Sequence, residues 1–161
     1  MPSKLIRLVS GAVLVDGLLG GASLDRTFIQ LPAFRHTGVR PWAAFSRNAD
    51  LGPRAFLWYP TLAISGMTLS VSAAVKSRSE NVSRISAAGL IAAAVLAAAG
   101  LLATIGAAPN MLRVRRAGDD QAVLRRSFEG FDFWQGIRGP LQGLAFAANV
   151  LSLVTLLAHE E

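Results

Sequence analysis

The sequence predicts an all-α integral membrane four-helix bundle with short amphipathic helices at the membrane interface. Residues 85–108 run for 24 positions without one charged side chain. About 20 consecutive apolar residues are enough for a helix to cross the hydrocarbon core of a bilayer. Three further apolar stretches flank this segment, and hydrophobic residues make up 52% of the 161-residue chain. Lipid is therefore the solvent that we expect this protein to face.

The predicted spans leave no stretch long enough for a second domain. They cover about 5–31, 56–75, 85–108 and 137–158. We therefore interpret residues 1–161 as a single transmembrane domain. Asp16 falls near the middle of the first span, where an ionised carboxylate is costly, so we expect it to face the bundle interior and to have a polar partner there.

The start of the chain permits an alternative interpretation. Lys4, an apolar run and the small residues at 20–22 together resemble a secretory signal peptide with its cleavage site. The apolar run continues past that point to Leu31, which is long for a signal peptide. An uncleaved first span is the better interpretation.

Two segments between the spans have amphipathic spacing. Residues 41–49 begin with proline, which favours the first turn of a helix, and carry an apolar ridge followed by arginine. Residues 122–135 place apolar side chains at intervals of three and four, after Asp119 or Asp120 as the expected helix cap. We expect Gly139-Pro140 to break or kink the chain between this segment and the fourth span.

The charge pattern suits a membrane surface. Sixteen basic and ten acidic residues give a net charge of +6, and the basic residues flank the spans. They are expected to contact anionic lipid headgroups, and nothing in their distribution suggests nucleic-acid binding. The first and third loops hold most of the arginine, so the positive-inside rule places them in the cytoplasm. We expect an integral protein of the bacterial plasma membrane.

Metal and cofactor chemistry have little support in the sequence. The chain has no cysteine, so disulfides and thiolate metal sites are excluded. His36 and His159 are the only imidazoles, and His159 lies close to the end of the chain. We expect no metal site and no cofactor.

Polar and aromatic residues concentrate where the first span ends and the fourth begins. The residues concerned are Asp25, Arg26, Arg35, His36, Trp42, Trp58, Tyr59, Trp134 and Arg138. One interpretation is interfacial anchoring, in which arginines extend to the headgroups, tryptophans lie in the aromatic belt and Arg138 pairs with Asp25 or Asp16. The other is a polar cluster above a cavity, where arginines bind an anionic or phenolic oxygen.

Four motifs add a resemblance to a known family. They are GGASLDRTFIQLPA at 20–33, a first loop containing tryptophan, Pro109-Asn110 at the end of the third span, and FDFWQGIR at 131–138. In this layout the chain resembles the anthrone oxygenase-like family of small four-span membrane proteins. The resemblance implies oxidation of an anthrone to an anthraquinone without a redox cofactor, with Asn110 among the residues that bind substrate.

Such chemistry suits the clustered residues. Asp25 or His36 is the predicted base, and Arg26, Arg35 and Arg138 are the predicted partners of an oxyanion. The predicted stacking residues are Trp42, Trp58 and Trp134, with Tyr59 beside them. The function predicted is a membrane-embedded enzyme for a hydrophobic phenolic or quinone-like molecule.

The alternative is a small accessory or scaffold subunit that associates with a membrane protein partner or with further copies of itself. An open apolar cavity ending at Asp25, Arg26 and Arg138 favours the enzyme. A filled interior with these groups satisfied favours the scaffold.

Overall fold

The computed structural model describes residues 3–158, and every regular element within that range is helical. The elements, in chain order, are α1 (Lys4–Asp25), a π-helical turn (Arg26–Gln30), α2 (Leu31–Thr37), α3 (Val39–Asn48), α4 (Pro53–Ser77), α5 (Arg84–Arg116) and α6 (Gln121–Leu157). The all-α prediction is confirmed. His159 lies outside the described residues.

Three helical stretches are long and apolar enough to cross a membrane. They are Lys4–Thr37, Arg84–Arg116 and Gln121–Leu157, and they contain the predicted spans 5–31, 85–108 and 137–158. The predicted span 56–75 lies within α4, which is not one of the three. Hydroxyl residues interrupt the apolar sequence of α4 and make it less hydrophobic.

The four longest helices pack in a closed ring, in the order α1, α4, α5, α6 and back to α1. Neighbouring helices are antiparallel, because Gly89 faces Ser152 and Gly106 faces Trp134 across the α5–α6 contact. Leu5 and Leu156 belong to one apolar cluster. Both ends of the described chain therefore lie at the same end of the bundle.

The opposite end of the bundle carries α3. The sequence predicts an amphipathic helix over 41–49, and α3 confirms it with bounds Val39–Asn48. The Trp42 ring is buried beside Met111 and Phe128. Arg47 donates from Nε to the carbonyl oxygen of Val114 at 3.3 Å. These contacts hold α3 across the end of the bundle.

The second amphipathic segment is not a separate helix. Residues 122–135 form the first part of α6, which continues through Gly139 and Pro140 to Leu157, so the expected break is wrong. Proline removes one backbone donor, and packing along α1 and α5 compensates for that loss. Asp120 caps α6 as predicted, since its Oδ1 accepts from the amides of Ala122 at 2.9 Å and Val123 at 3.2 Å.

A π-helical turn separates α1 from α2. Pro32 has no amide proton, and its ring would collide with the carbonyl group of Phe28 in a regular α-helix. The backbone widens just before this proline, so that the amide of Leu31 bonds to the carbonyl oxygen of Arg26. Such π-turns often occur at functional sites. Arg26, the first residue of this turn, continues the buried face of α1 three positions after Ser23 and is 7% exposed.

The bundle has an apolar exterior and a partly polar interior. Large apolar side chains face outward on all four long helices, among them Leu18, Ile64, Leu102 and Leu151. Polar side chains are buried instead, including Asp16, Gln135, Gln142 and Asn149. Contiguous exposed apolar surface of this kind marks an interaction with membrane or with protein.

The expectation for Asp16 is confirmed. Its Oδ2 accepts from Asn149 Nδ2 on α6 at 2.8 Å and from Ser70 Oγ on α4 at 3.4 Å. The carboxyl group is 4% exposed and lies in the bundle interior.

Candidate functional site

A cavity of about 170 Å³ lies among the four long helices, toward the end that carries α3. Its apolar wall includes Leu19, Ala63, Ala107, Met111 and Phe131. Its polar lining residues are Ser23, Arg26, Asp50, Tyr59, Thr104, Arg138 and Gln142. The cavity is therefore an apolar chamber with a charged end.

The cavity opens sideways, between α4 and α5. The exposed members of its lining are Tyr59 and Pro60 on α4 and Ala108 and Leu112 on α5. The α1 and α6 side is closed by buried residues such as Ser23, Arg26 and Gln142. A ligand would enter between two helices whose outer faces are apolar.

Arg26 and Asp50 form a buried ion pair at the charged end. Arg26 Nη1 donates to Asp50 Oδ2 at 2.9 Å, and Nη2 donates to Oδ1. The two side chains are 8% and 12% exposed. Asp50 lies in the connection between α3 and α4, so the pair fastens that connection to the end of α1.

Arg138 has no such partner. Its Nη2 donates to Gln135 Oε1 one turn earlier on α6, and its Nε is buried without a hydrogen-bond partner. None of the ion pairs found within residues 3–158 includes Arg138. The predicted pairing with Asp25 or Asp16 is absent. Two guanidinium groups and one carboxylate line the cavity, which leaves one positive charge uncompensated.

Phe131 lies between the two arginines. The centre of its ring is 5.4 Å from the guanidinium carbon of Arg26 and 5.7 Å from that of Arg138. Both cations therefore contact the same aromatic ring, whose π-electrons attract positive charge. The shared ring holds two like charges at the same end of the cavity.

Amide side chains behind the cavity connect α6 to α1. Gln135 Nε2 donates to the carbonyl oxygen of Ser23 at 3.2 Å and to Thr27 Oγ1 at 3.1 Å. Gln142 Oε1 accepts from the hydroxyl of Ser23. Because Gln135 also accepts from Arg138, the position of that guanidinium depends on this network.

The structure brings three of the predicted site residues together. Arg26, Tyr59 and Arg138 all line the cavity. The two predicted bases, Asp25 and His36, do not line the cavity, because both are exposed. Asp25 accepts a hydrogen bond from Gln30 Nε2 at 2.5 Å. Arg35 is also outside, where it pairs with Asp132 at 3.1 Å.

The other predicted contacts with substrate also lie away from the cavity. Trp42 is in the apolar cluster under α3, with its ring centre 5.5 Å from that of Phe34. Trp58 is 62% exposed on the outer face of α4. Trp134 packs on Gly106, and the Asn110 side chain packs on Gly130.

Asp50 is the site residue that the sequence did not indicate. It lies in a short polar connection, RNADLGPR at 47–54, with no motif around it. Twenty-four positions separate it from Arg26, and only the folding of α3 across the bundle brings them together. No local periodicity in the sequence indicates that Asp50 and Arg26 lie close together.

No metal-binding cluster is found in the described part of the chain: no three His, Asp or Glu side chains between residues 3 and 158 lie close enough to hold an ion. Comparison with models of protein families, with curated proteins and with solved structures finds no match. The chemistry of the site is therefore argued from its own residues.

We predict that Asp50→Asn destabilises the fold strongly. The substitution leaves the buried guanidinium of Arg26 without its counter-charge, and breaking a buried pair in this way typically costs about 3–5 kcal/mol. Thermal or denaturant unfolding of the purified protein measures the loss.

Asp132→Asn is the matched control, because the side chains of Arg35 and Asp132 are 66% and 38% exposed. An exposed pair contributes about 0–1 kcal/mol. Equal and small losses in the two variants would contradict the assignment of Arg26 and Asp50 as a buried pair.

Proposed function

We propose that the chain is an integral membrane enzyme that binds a hydrophobic phenolic or quinone-like molecule in the cavity between its four long helices. The observation that carries this proposal is an open apolar chamber whose charged end holds an uncompensated Arg138. A scaffold subunit has no need of such a chamber. The proposal keeps the predicted class of substrate and changes the residues that act on it.

The proposal also makes α4 a membrane-spanning helix, in addition to the three stretches that are long and apolar enough to span. α4 packs between α1 and α5 along the ring, so it lies at the same depth as helices that are long and apolar enough to span. Its outward residues include Leu57, Ile64, Val71 and Val75. Lipid would cover these side chains of α4 just as it would cover the outward side chains of α1 and α5. The bacterial plasma membrane is the location that we propose.

The side opening suits a ligand that is dissolved in lipid. Tyr59, Pro60 and Leu112 lie at the opening, and the surface around it is apolar. A molecule with a flat ring and one phenolic oxygen can leave the bilayer directly and place that oxygen at Arg138. The cavity is similar in size to the ~150 Å³ apolar cavity that accommodates benzene. A larger ring system would extend toward the opening.

Asp50 takes the place of Asp25 and His36 as the proposed base. Proton transfer to Asp50 from an anthrone-type carbon would neutralise that carboxylate and free Arg26. Arg26 and Arg138 would then stabilise the new oxyanion together.

The electron-rich carbanion would react directly with dioxygen. A new carbon–oxygen bond gives a peroxide anion, which takes the proton back from Asp50 to become a hydroperoxide. Loss of water, formed from the outer oxygen with its proton and the remaining hydrogen of that carbon, leaves the quinone carbonyl. The balance is one anthrone and one dioxygen to one anthraquinone and one water. No residue of this chain has to change its oxidation state, and the resemblance to the anthrone oxygenase-like family is consistent with this step.

We predict that the two connections at opposite ends of the bundle lie on opposite sides of the membrane. The chain has no cysteine, so single cysteines report cleanly on accessibility. Ser79→Cys and Ala158→Cys should react with an impermeant maleimide from one side, and Asp119→Cys from the other. Reaction of all three in intact cells, with no gain on permeabilisation, would contradict a four-span arrangement.

We predict that Arg138→Gln weakens binding of a hydroxyanthrone by about tenfold to a hundredfold, the effect of losing one charge-assisted hydrogen bond. Quenching of tryptophan fluorescence measures the affinity, and quinone absorbance measures turnover. Arg35→Gln is the control, because Arg35 lies outside the cavity. Anthracene, which has no oxygen, should bind both variants equally.

Two outcomes would end the proposal. One is a wild-type protein that neither binds nor oxidises the hydroxyanthrone. The other is an Arg138→Gln variant that folds and keeps full affinity and turnover. Either outcome would favour an accessory subunit, whose partner would then be sought by co-purification.

A further inference from the structure

A second, smaller void lies deeper in the bundle than the main cavity. Its volume is about 10 Å³, which is near the lower limit for holding one water molecule. The residues that line it are Asp16, Leu19, Ala63, Ala97, Leu101, Gln142 and Ala145. Leu19, Ala63 and Gln142 also line the main cavity, so the two spaces adjoin.

Asp16 is the only ionisable side chain on this void. Its Oδ2 accepts from Asn149 and Ser70, and Asn149 also donates to Ser70 at 3.0 Å. Both amide protons of Asn149 are thereby used. Oδ1 lies against the backbone of Gly66, where a Cβ atom would overlap it.

Among the described residues, no positive charge faces this carboxyl group from a neighbouring helix. α4 presents Ser70 and Gly66, and α6 presents Asn149. The α5 residues on the void are Ala97 and Leu101, which are apolar. None of the ion pairs found within residues 3–158 involves Asp16. An ionised carboxylate in such a place would be uncompensated at the centre of the bundle.

We propose that Asp16 is a proton-binding site that exchanges its proton with the main cavity. The carboxyl group holds the proton and is neutral, and one water in the void hydrogen-bonds to it. The Asp16 oxygen gives its proton to that water and takes another proton back from it, so that no charge is left behind. The water then exchanges with water in the main cavity past the side chain of Gln142. The site requires no bound substrate, so it stands independently of the enzymatic proposal.

Gln142 lies between the void and the main cavity and controls exchange between them in this arrangement. It is 5% exposed, it accepts from Ser23 on the cavity side, and it borders the void on the other side. Its amide is the polar group that the two spaces share. Gln135, seven positions earlier on the same face of α6, does not border the void and is the matched comparison.

Infrared spectroscopy of the purified protein without substrate tests the proposal. The wild type should show the carbonyl band of a protonated carboxylic acid, and Asp16→Asn should lack it while keeping its partners Asn149 and Ser70. In D₂O the band should shift in the folded protein. Gln142→Leu should slow this shift by about tenfold, the effect of losing one buried hydrogen-bonding group, whereas Gln135→Leu should not.

Three results would overturn the proposal. If Asp16→Asn loses no such band, Asp16 is ionised. If the band fails to shift in D₂O without unfolding, the site is sealed from the cavity. If Gln142→Leu and Gln135→Leu both exchange as the wild type does, the route does not pass Gln142. Circular dichroism of each variant establishes that the helices remain folded.

Discussion

The rest of the structure depends on the hydrogen-bonded seam between α1 and α6. Gln135, Gln142 and Asn149 recur at seven-residue intervals on α6. They bond to Ser23 and Asp16 on α1 and to Thr27 in the π-helical turn. The exterior of the bundle is apolar, so in lipid little hydrophobic force would hold one helix against another. Directional bonds between buried amides and hydroxyls fix the register of the two helices instead.

That register determines the site. Arg26 follows Ser23 by three positions, and Arg138 follows Gln135 by three positions, so each arginine projects one turn beyond the seam. Both therefore reach the ring of Phe131 at the same end of the cavity. Asp50 neutralises one of them, and the other is in none of the ion pairs found within residues 3–158. A low-dielectric surrounding would strengthen the attraction between this guanidinium group and an anionic oxygen.

The sequence was sufficient to predict the helices and insufficient to predict their partners. Charge-free runs predict long apolar helices whatever the tertiary structure, and an isolated carboxyl group such as Asp16 must find a polar partner. Proline was a weaker guide, because α5 and α6 continue through Pro109 and Pro140 with support from their neighbours. Pro32 has its effect one turn earlier, where the backbone widens into a π-helical turn.

The cavity itself illustrates where prediction from sequence ends. Arg26, Tyr59 and Arg138 were predicted because polar groups at one depth are expected to meet. Asp50 was not, since its approach to Arg26 depends on how α3 folds across the bundle. Trp42 and Trp134 have rings that could stack on an aromatic substrate. Trp42 instead packs in the apolar core, and Trp134 packs against Gly106. Residue type alone does not distinguish a ring that packs from one that binds.

Native mass spectrometry of the wild-type protein, released gently from its own membrane, tests the central claim most directly. We predict a protein peak with one bound small molecule that is lost on mild activation, and whose extract absorbs as a phenol or quinone. An extract that contains only phospholipid, or a protein that carries nothing and takes up no hydroxyanthrone when it is offered, would contradict the claim that the cavity is a binding site for such molecules.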